Sequence, residues 1–75
     1  MPKALTRRQW QILAKVADGM SNREIGVDLG ISTQTVETHL ASASRRLGFK
    51  NRAAAAAYFA RHGRGWMFEG DLVVR

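Results

Sequence analysis

The chain has 75 residues, enough for one domain with a modest core, a size at which oligomerisation is a common supplement. Twelve Lys and Arg, nine of them Arg, stand against six Asp and Glu; the net charge of +6 suits a polyanionic partner, either nucleic acid or an anionic surface. With no Cys there is no disulfide or thiolate metal site, no apolar run is long enough to span a bilayer, and no apolar N-terminal segment marks a secretory signal, so a cytoplasmic protein is expected.

Leu5-Thr6-Arg7-Arg8-Gln9-Trp10 opens a first helix. Thr6 is its N-cap and Gln9, three residues on, closes a capping box, while Leu5 and Trp10 are spaced as a hydrophobic staple. Trp10, Leu13, Val16 and Ala17 form the expected inward stripe, and Gly19 ends the helix. The same grammar then repeats. Ser21 caps a second, short helix, Glu24 completes its box, Met20 and Ile25 make the staple, and the helix should stop near Leu29.

Gly30-Ile31-Ser32 follows, and Ser32 can cap a longer third helix over 33–47. A short helix, a tight glycine-containing turn and a longer helix make a helix-turn-helix. Ile25, Leu29, Ile31, Val36 and Leu40 should share its apolar seam, with Ile31 and Val36 as a third staple pair. Within the third helix, Val36, Leu40, Ala43 and Leu47 recur at helical spacing. The opposite face carries Thr33, Gln34, Glu37, Thr38, Ala41 and Arg45. These are mostly short side chains, and such a face can approach base edges in a major groove without obstruction. Gly48 should stop the helix.

Asn51 can cap a fourth helix from Arg52 to about His62, with Gly63 ending it. Its run Ala53 to Ala57 is strongly helix-forming and leaves a flat surface for a partner helix. Residues 1–63 are therefore assigned to one helical domain and 64–75 to a C-terminal tail. There, Trp66-Met67-Phe68 and Leu72-Val73-Val74 flank Glu69-Gly70-Asp71, a pattern that suggests a small β-hairpin. Such a hairpin must lean on its own domain's core or on a dimer partner. Trp10 is read as core, and Trp66 as a tail anchor or an exposed interface residue.

Residues 5–63 resemble the LuxR-type helix-turn-helix domain, also found in FixJ-like response regulators and in small standalone spore regulators. The residues that carry the resemblance are Leu5-Thr6, Arg8, Ile12-Leu13, Gly19, Ser21-Asn22-Arg23-Glu24-Ile25-Gly26, Leu29, Ile31-Ser32, Thr35-Val36, His39, Arg45, Leu47-Gly48 and Asn51-Arg52-Ala53. The resemblance implies an all-α, four-helix domain with its third helix in the major groove and dimerisation through the fourth. The chain departs from the family pattern at three positions. Gln9 stands where members usually carry Glu. Glu37 and Ala41 stand where Lys or Arg often contacts bases. Glu can accept from cytosine N4 and Ala can touch a thymine methyl, so an altered sequence preference is one outcome and a weakened DNA contact is the other. The match begins close to Met1, which points to a standalone form with no upstream receiver or ligand-sensing domain.

The candidate base-reading residues are thus Thr33, Gln34, Glu37, Thr38 and Ala41. The candidate phosphate contacts are Arg23, Arg45, Arg46, Lys50 and Arg52 near helix ends, with Ser21, Asn22, Thr35 and His39. Arg45, Arg46 and Lys50 also suit the negative end of the third helix's dipole without any ligand. The candidate dimer surface is Ala53, Ala56, Ala57, Phe59 and Ala60 with Trp66 and Phe68 of the tail. His39 and His62, the only histidines, have no Cys beside them for a metal set and no activated nucleophile at local spacing. No metal, cofactor, membrane contact or enzymatic activity is expected. The leading expectation is a sequence-specific, homodimeric regulator that binds double-stranded DNA. The alternative is a protein-interaction module that sequesters a related regulator through the fourth helix or the tail; Glu37 and Ala41 favour it. RNA binding ranks third, since no aromatic stacking pattern is visible.

Overall fold

The computed structural model describes the backbone of residues 5–74 and the side chains of residues 5–63. Its helices are α1 Arg7–Ala17, α2 Asn22–Leu29, α3 Thr33–Leu47 and α4 Arg52–Val74, with no strand among the described residues. Caps written in the sequence set the first three starts. Thr6 Oγ1 accepts from the Gln9 amide at 3.1 Å while Gln9 Oε1 accepts from the Thr6 amide at 2.9 Å. Ser21 and Glu24 make the same reciprocal pair at 3.1 and 2.8 Å. Ser32 Oγ accepts from the Thr35 amide at 3.0 Å. Each box satisfies amides that the first turn leaves without helical partners. At α4, Asn51 Oδ1 takes the Ala54 amide at 2.8 Å.

Two apolar clusters fill the interior. Ile12, Val16, Ile25 and Val36 form the first, with Met20, Leu29, Ile31 and Leu40 packed against it. Leu5, Leu13, Ala43 and Ala55 form the second, surrounded by the half-buried Trp10, Leu47, Phe49, Tyr58 and Phe59 and again by Leu40. All three staple pairs fall inside these clusters. Lys15 of α1 also pairs with Asp28 of α2 across the outer edge.

Two expectations are corrected. Ala17 is exposed, and the stripe of α1 is instead Gln9, Ile12, Leu13 and Val16, all buried. Ala17 is the last residue of its helix, on the flank of that stripe, just before the chain turns away at Asp18-Gly19. Gln9 is tolerated inside because its carboxamide oxygen is held by the Thr6 amide.

The second correction concerns the tail. Gly63 does not end α4, and no hairpin forms: the helix runs through Gly63 to Val74. Gly63 lacks the positive φ of a terminating glycine. It is buried, and a Cβ there would overlap the Phe59 ring one turn earlier. The missing side chain therefore makes room for an aromatic ring. Once an alanine-rich helix is nucleated, each further residue adds a hydrogen bond, and this overrides the strand preference of the two apolar triplets. The side chains of Trp66, Phe68, Leu72 and Val74 lie outside the described residues.

Candidate nucleic-acid interface

The angle between α2 and α3 depends on a close backbone contact. The Ile31 amide donates to the Gly26 carbonyl at 2.9 Å, and a Cβ on Gly26 would sit 2.7 Å from the Ile31 oxygen. Any side chain at 26 would push the two helices apart. Gly30 then adopts φ 72°, ψ 33°, the left-handed turn that glycine enters at little cost. The result seats Val36 fully inside the apolar cluster, which fixes the rotation of α3 about its own axis.

That rotation decides what α3 shows to solvent. Val36 and Ala43 are buried, and Leu40 and Leu47 half-buried, as the stripe requires. Thr33, Gln34, Glu37, Thr38, Ala41 and Arg45 are all exposed. The five base-reading candidates therefore share one open surface. Thr38 Oγ1 donates to the Gln34 carbonyl at 3.0 Å. Its hydroxyl proton is turned into the helix, so outward it offers a methyl group and an acceptor oxygen. The Ala41 methyl lies one turn on, at i+3. The face thus combines the methyl groups of Thr38 and Ala41 with the Thr38 acceptor oxygen, the Glu37 carboxylate and the Gln34 carboxamide.

The phosphate candidates divide by state. Arg23, Arg45, Arg46, Lys50 and Arg52 are exposed, as is Ser21; Asn22, Thr35 and His39 are half-buried. Ser21 is engaged in its capping box, and Thr35 Oγ1 lies 2.8 Å from Ser32 Oγ. A cleft of about 270 Å³ between α3 and the start of α4 is bordered by Ala41, Lys50 and Arg52 over a floor of Leu40, Phe49 and Ala55. Arg52 in turn reaches Asn22. Base-reading and phosphate candidates therefore meet along one edge: Ala41, Lys50, Arg52, Asn22.

The dimer candidates also divide. Ala53, Ala57 and Ala60 are exposed, whereas Ala56 packs on the aliphatic cluster and Phe59 on the aromatic one. Those two already have intramolecular contacts. Trp66 and Phe68 lie outside the described side chains. Among the described residues, no group of three or more His, Cys, Asp or Glu could hold a metal ion, and no helix is long and apolar enough to cross a membrane.

The family model for bacterial regulatory proteins of the luxR family matches residues 3–59. The chain belongs to the LuxR family. It is similar to the putative HTH-type transcriptional regulator YhjB of Escherichia coli (strain K12), at 56% identity over 54 residues. It is also similar to the transcriptional regulatory protein LiaR of Bacillus subtilis (strain 168), at 39% identity over 56 residues. These alignments cover 72% and 75% of this chain but only 27% and 26% of the relatives. The chain thus matches about a quarter of each regulator's length.

LuxR-type helix-turn-helix domains bind DNA, and in this LuxR domain the polar face of α3 is open to solvent. Two features of the site were not legible in the sequence. The Gly26 contact rests on a residue that entered only through the family resemblance. The bridge from Arg52 to Asn22 joins positions 30 residues apart, and local spacing carries no trace of such a pair.

Proposed function

We propose that this domain binds double-stranded DNA sequence-specifically as a homodimer, with α3 in the major groove, and regulates transcription in the cytoplasm. One observation carries the reading: the entire polar face of α3 is exposed while its apolar stripe is seated in the core. A net charge of +6 and the exposed cations Arg23 and Lys50 supply the non-specific attraction to phosphates. Thr33, Gln34, Glu37, Thr38 and Ala41 supply the discrimination. Glu37 accepts from a cytosine amino group, and the adjacent methyls of Thr38 and Ala41 pack on thymine methyls.

One helix of this length touches few base pairs, so two copies related by a two-fold axis extend the site. Ala53, Ala57 and Ala60 form a small-residue stripe at i, i+4 and i+7 on which a second α4 can pack closely. The test is selection from a random duplex pool with the full chain, joined to sedimentation at several concentrations. Enrichment of a palindrome with cytosine and thymine in each half-site is expected, with a dimer on the DNA. Failure to enrich any sequence would overturn the reading and leave sequestration of a related regulator as the alternative.

A further inference from the structure

The sequence places Arg52 among the phosphate contacts, yet its guanidinium is already engaged within the molecule. Nη1 donates to Asn22 Oδ1 at 2.8 Å, and Nη2 donates to the Met20 carbonyl at 2.6 Å. The two bonds tie the first residue of α4 to the entrance of α2. A guanidinium is a planar fork of donors, so two acceptors on different groups fix its orientation.

The consequence falls on Asn22. Its carboxamide has an acceptor arm and a donor arm in one plane. An amide on the first turn of a helix could flip, and the flipped form would present its oxygen, which repels a phosphate. A charge-assisted bond from Arg52 selects one orientation. With Oδ1 held on the guanidinium, the Nδ2 amino group is the arm turned away from it. Asn22 sits between the exposed Ser21 and Arg23, on the edge that also carries Lys50.

We propose that Arg52 is a positioning residue that aims the amino group of Asn22 at a DNA phosphate. This rests on the DNA-binding reading above. Arg52 acts through Asn22, so its removal disorders the donor without removing a phosphate-bound charge.

The test uses the full chain and its selected duplex, with binding measured across salt concentrations and melting followed in parallel. Asn22→Asp keeps an acceptor for Arg52, now charged, but has no amino group. Its melting temperature should hold or rise while affinity falls roughly tenfold or more, the scale of a hydrogen bond to a charged group. Arg52→Ala should lose comparable affinity with the same salt slope as wild type, since slope counts neutralised phosphates. Asn22→Ala, which adds no charge, should cost that affinity when Arg52 is present and little when it is absent. Should Arg52→Ala fail to fold, Arg52→Lys, which keeps the charge but lacks the fork, should show the same loss at unchanged slope.

A salt slope that drops by about one in the folded Arg52 variant would mean that Arg52 touches a phosphate itself, and would overturn the proposal. So would wild-type affinity in Asn22→Asp, or fully additive losses in the double variant. If the wild-type chain enriches no DNA at all, the DNA-binding reading falls and takes this proposal with it.

Discussion

The two apolar clusters of this small domain do different work. The aliphatic one, around Ile12, Val16, Ile25 and Val36, is sealed: three of its four central side chains have no exposed surface. It clamps α1, α2 and α3 together and sets how α3 is turned. The aromatic one is open at its rim. Trp10 stacks on Tyr58 with ring centroids 5.9 Å apart and meets Phe59 at 6.1 Å, while Phe49 meets Tyr58 at 5.4 Å. All four rings are half-buried. This cluster holds α4 against α1, and Leu40 touches both clusters. A helix proposed to enter a DNA groove needs a fixed orientation, which a sealed jigsaw of branched side chains provides. A helix that only has to stay docked can rest on a broad, partly wet aromatic surface.

The largest effect that would break this comparison is expected at Ile25. Replacing a fully buried isoleucine by alanine typically costs about 2–5 kcal/mol, against total stabilities of about 5–15 kcal/mol for small domains. Ile25→Ala should therefore lose much of the domain's stability in thermal or urea unfolding, and DNA binding with it. A loss below about 1 kcal/mol would show that the seam is looser than its burial implies.

The next effect concerns what the sealed cluster presents. Glu37→Lys leaves the core untouched, so melting should be nearly unchanged. It exchanges a carboxylate for a cation on the exposed face of α3. Binding to unselected DNA should tighten and the enriched sequence should change, with each newly read base pair worth about 1–3 kcal/mol. If the same motif is selected by both proteins, Glu37 does not read bases.

The difference between the clusters also explains what the sequence revealed. Most of the aliphatic seam was legible because Val16, Ile25, Leu29, Val36 and Leu40 follow helical spacing beside three N-caps at Thr6, Ser21 and Ser32, whereas Ile12 at its centre entered only through the family resemblance. Helix starts, the turn and the exposed face of α3 follow from those local signals. The aromatic cluster was not legible. Phe49 comes from a loop, Tyr58 and Phe59 are embedded among alanines, and Trp10 lies on another helix. Gly63 misled for the same reason: glycine at the end of an apolar pattern signals a stop, and only the Phe59 ring reveals it as a packing gap. In the candidate site, the exposure of the polar face of α3 followed from local spacing and was therefore visible. The Arg52–Asn22 bridge depends on how α4 docks and was not.

A smaller effect sharpens the comparison at the cationic edge. Lys50 lies beside the cleft, between the reading face and α4. Lys50→Ala should weaken binding to every sequence alike and lower the salt slope by about one, with no change in the selected motif. Melting should not move. A change of motif would mean that Lys50 helps orient α3.

The smallest effects are expected at the periphery of each cluster. Offset aromatic pairs contribute about 0.5–1.5 kcal/mol beyond their buried area. Tyr58→Leu keeps apolar bulk but loses its stacking on Trp10, so a cost in that range is expected, without any shift in the enriched sequence. The Lys15–Asp28 pair should matter less still. Its side chains are 26% and 50% exposed, so water screens the attraction, and pairs of this kind contribute about 0–1 kcal/mol. Asp28→Asn should lower the melting point slightly at low salt, and this difference from wild type should vanish as salt is raised. A loss that survives high salt, or exceeds that of Tyr58→Leu, would mean that the sealed aliphatic cluster does not by itself hold α1 on α2.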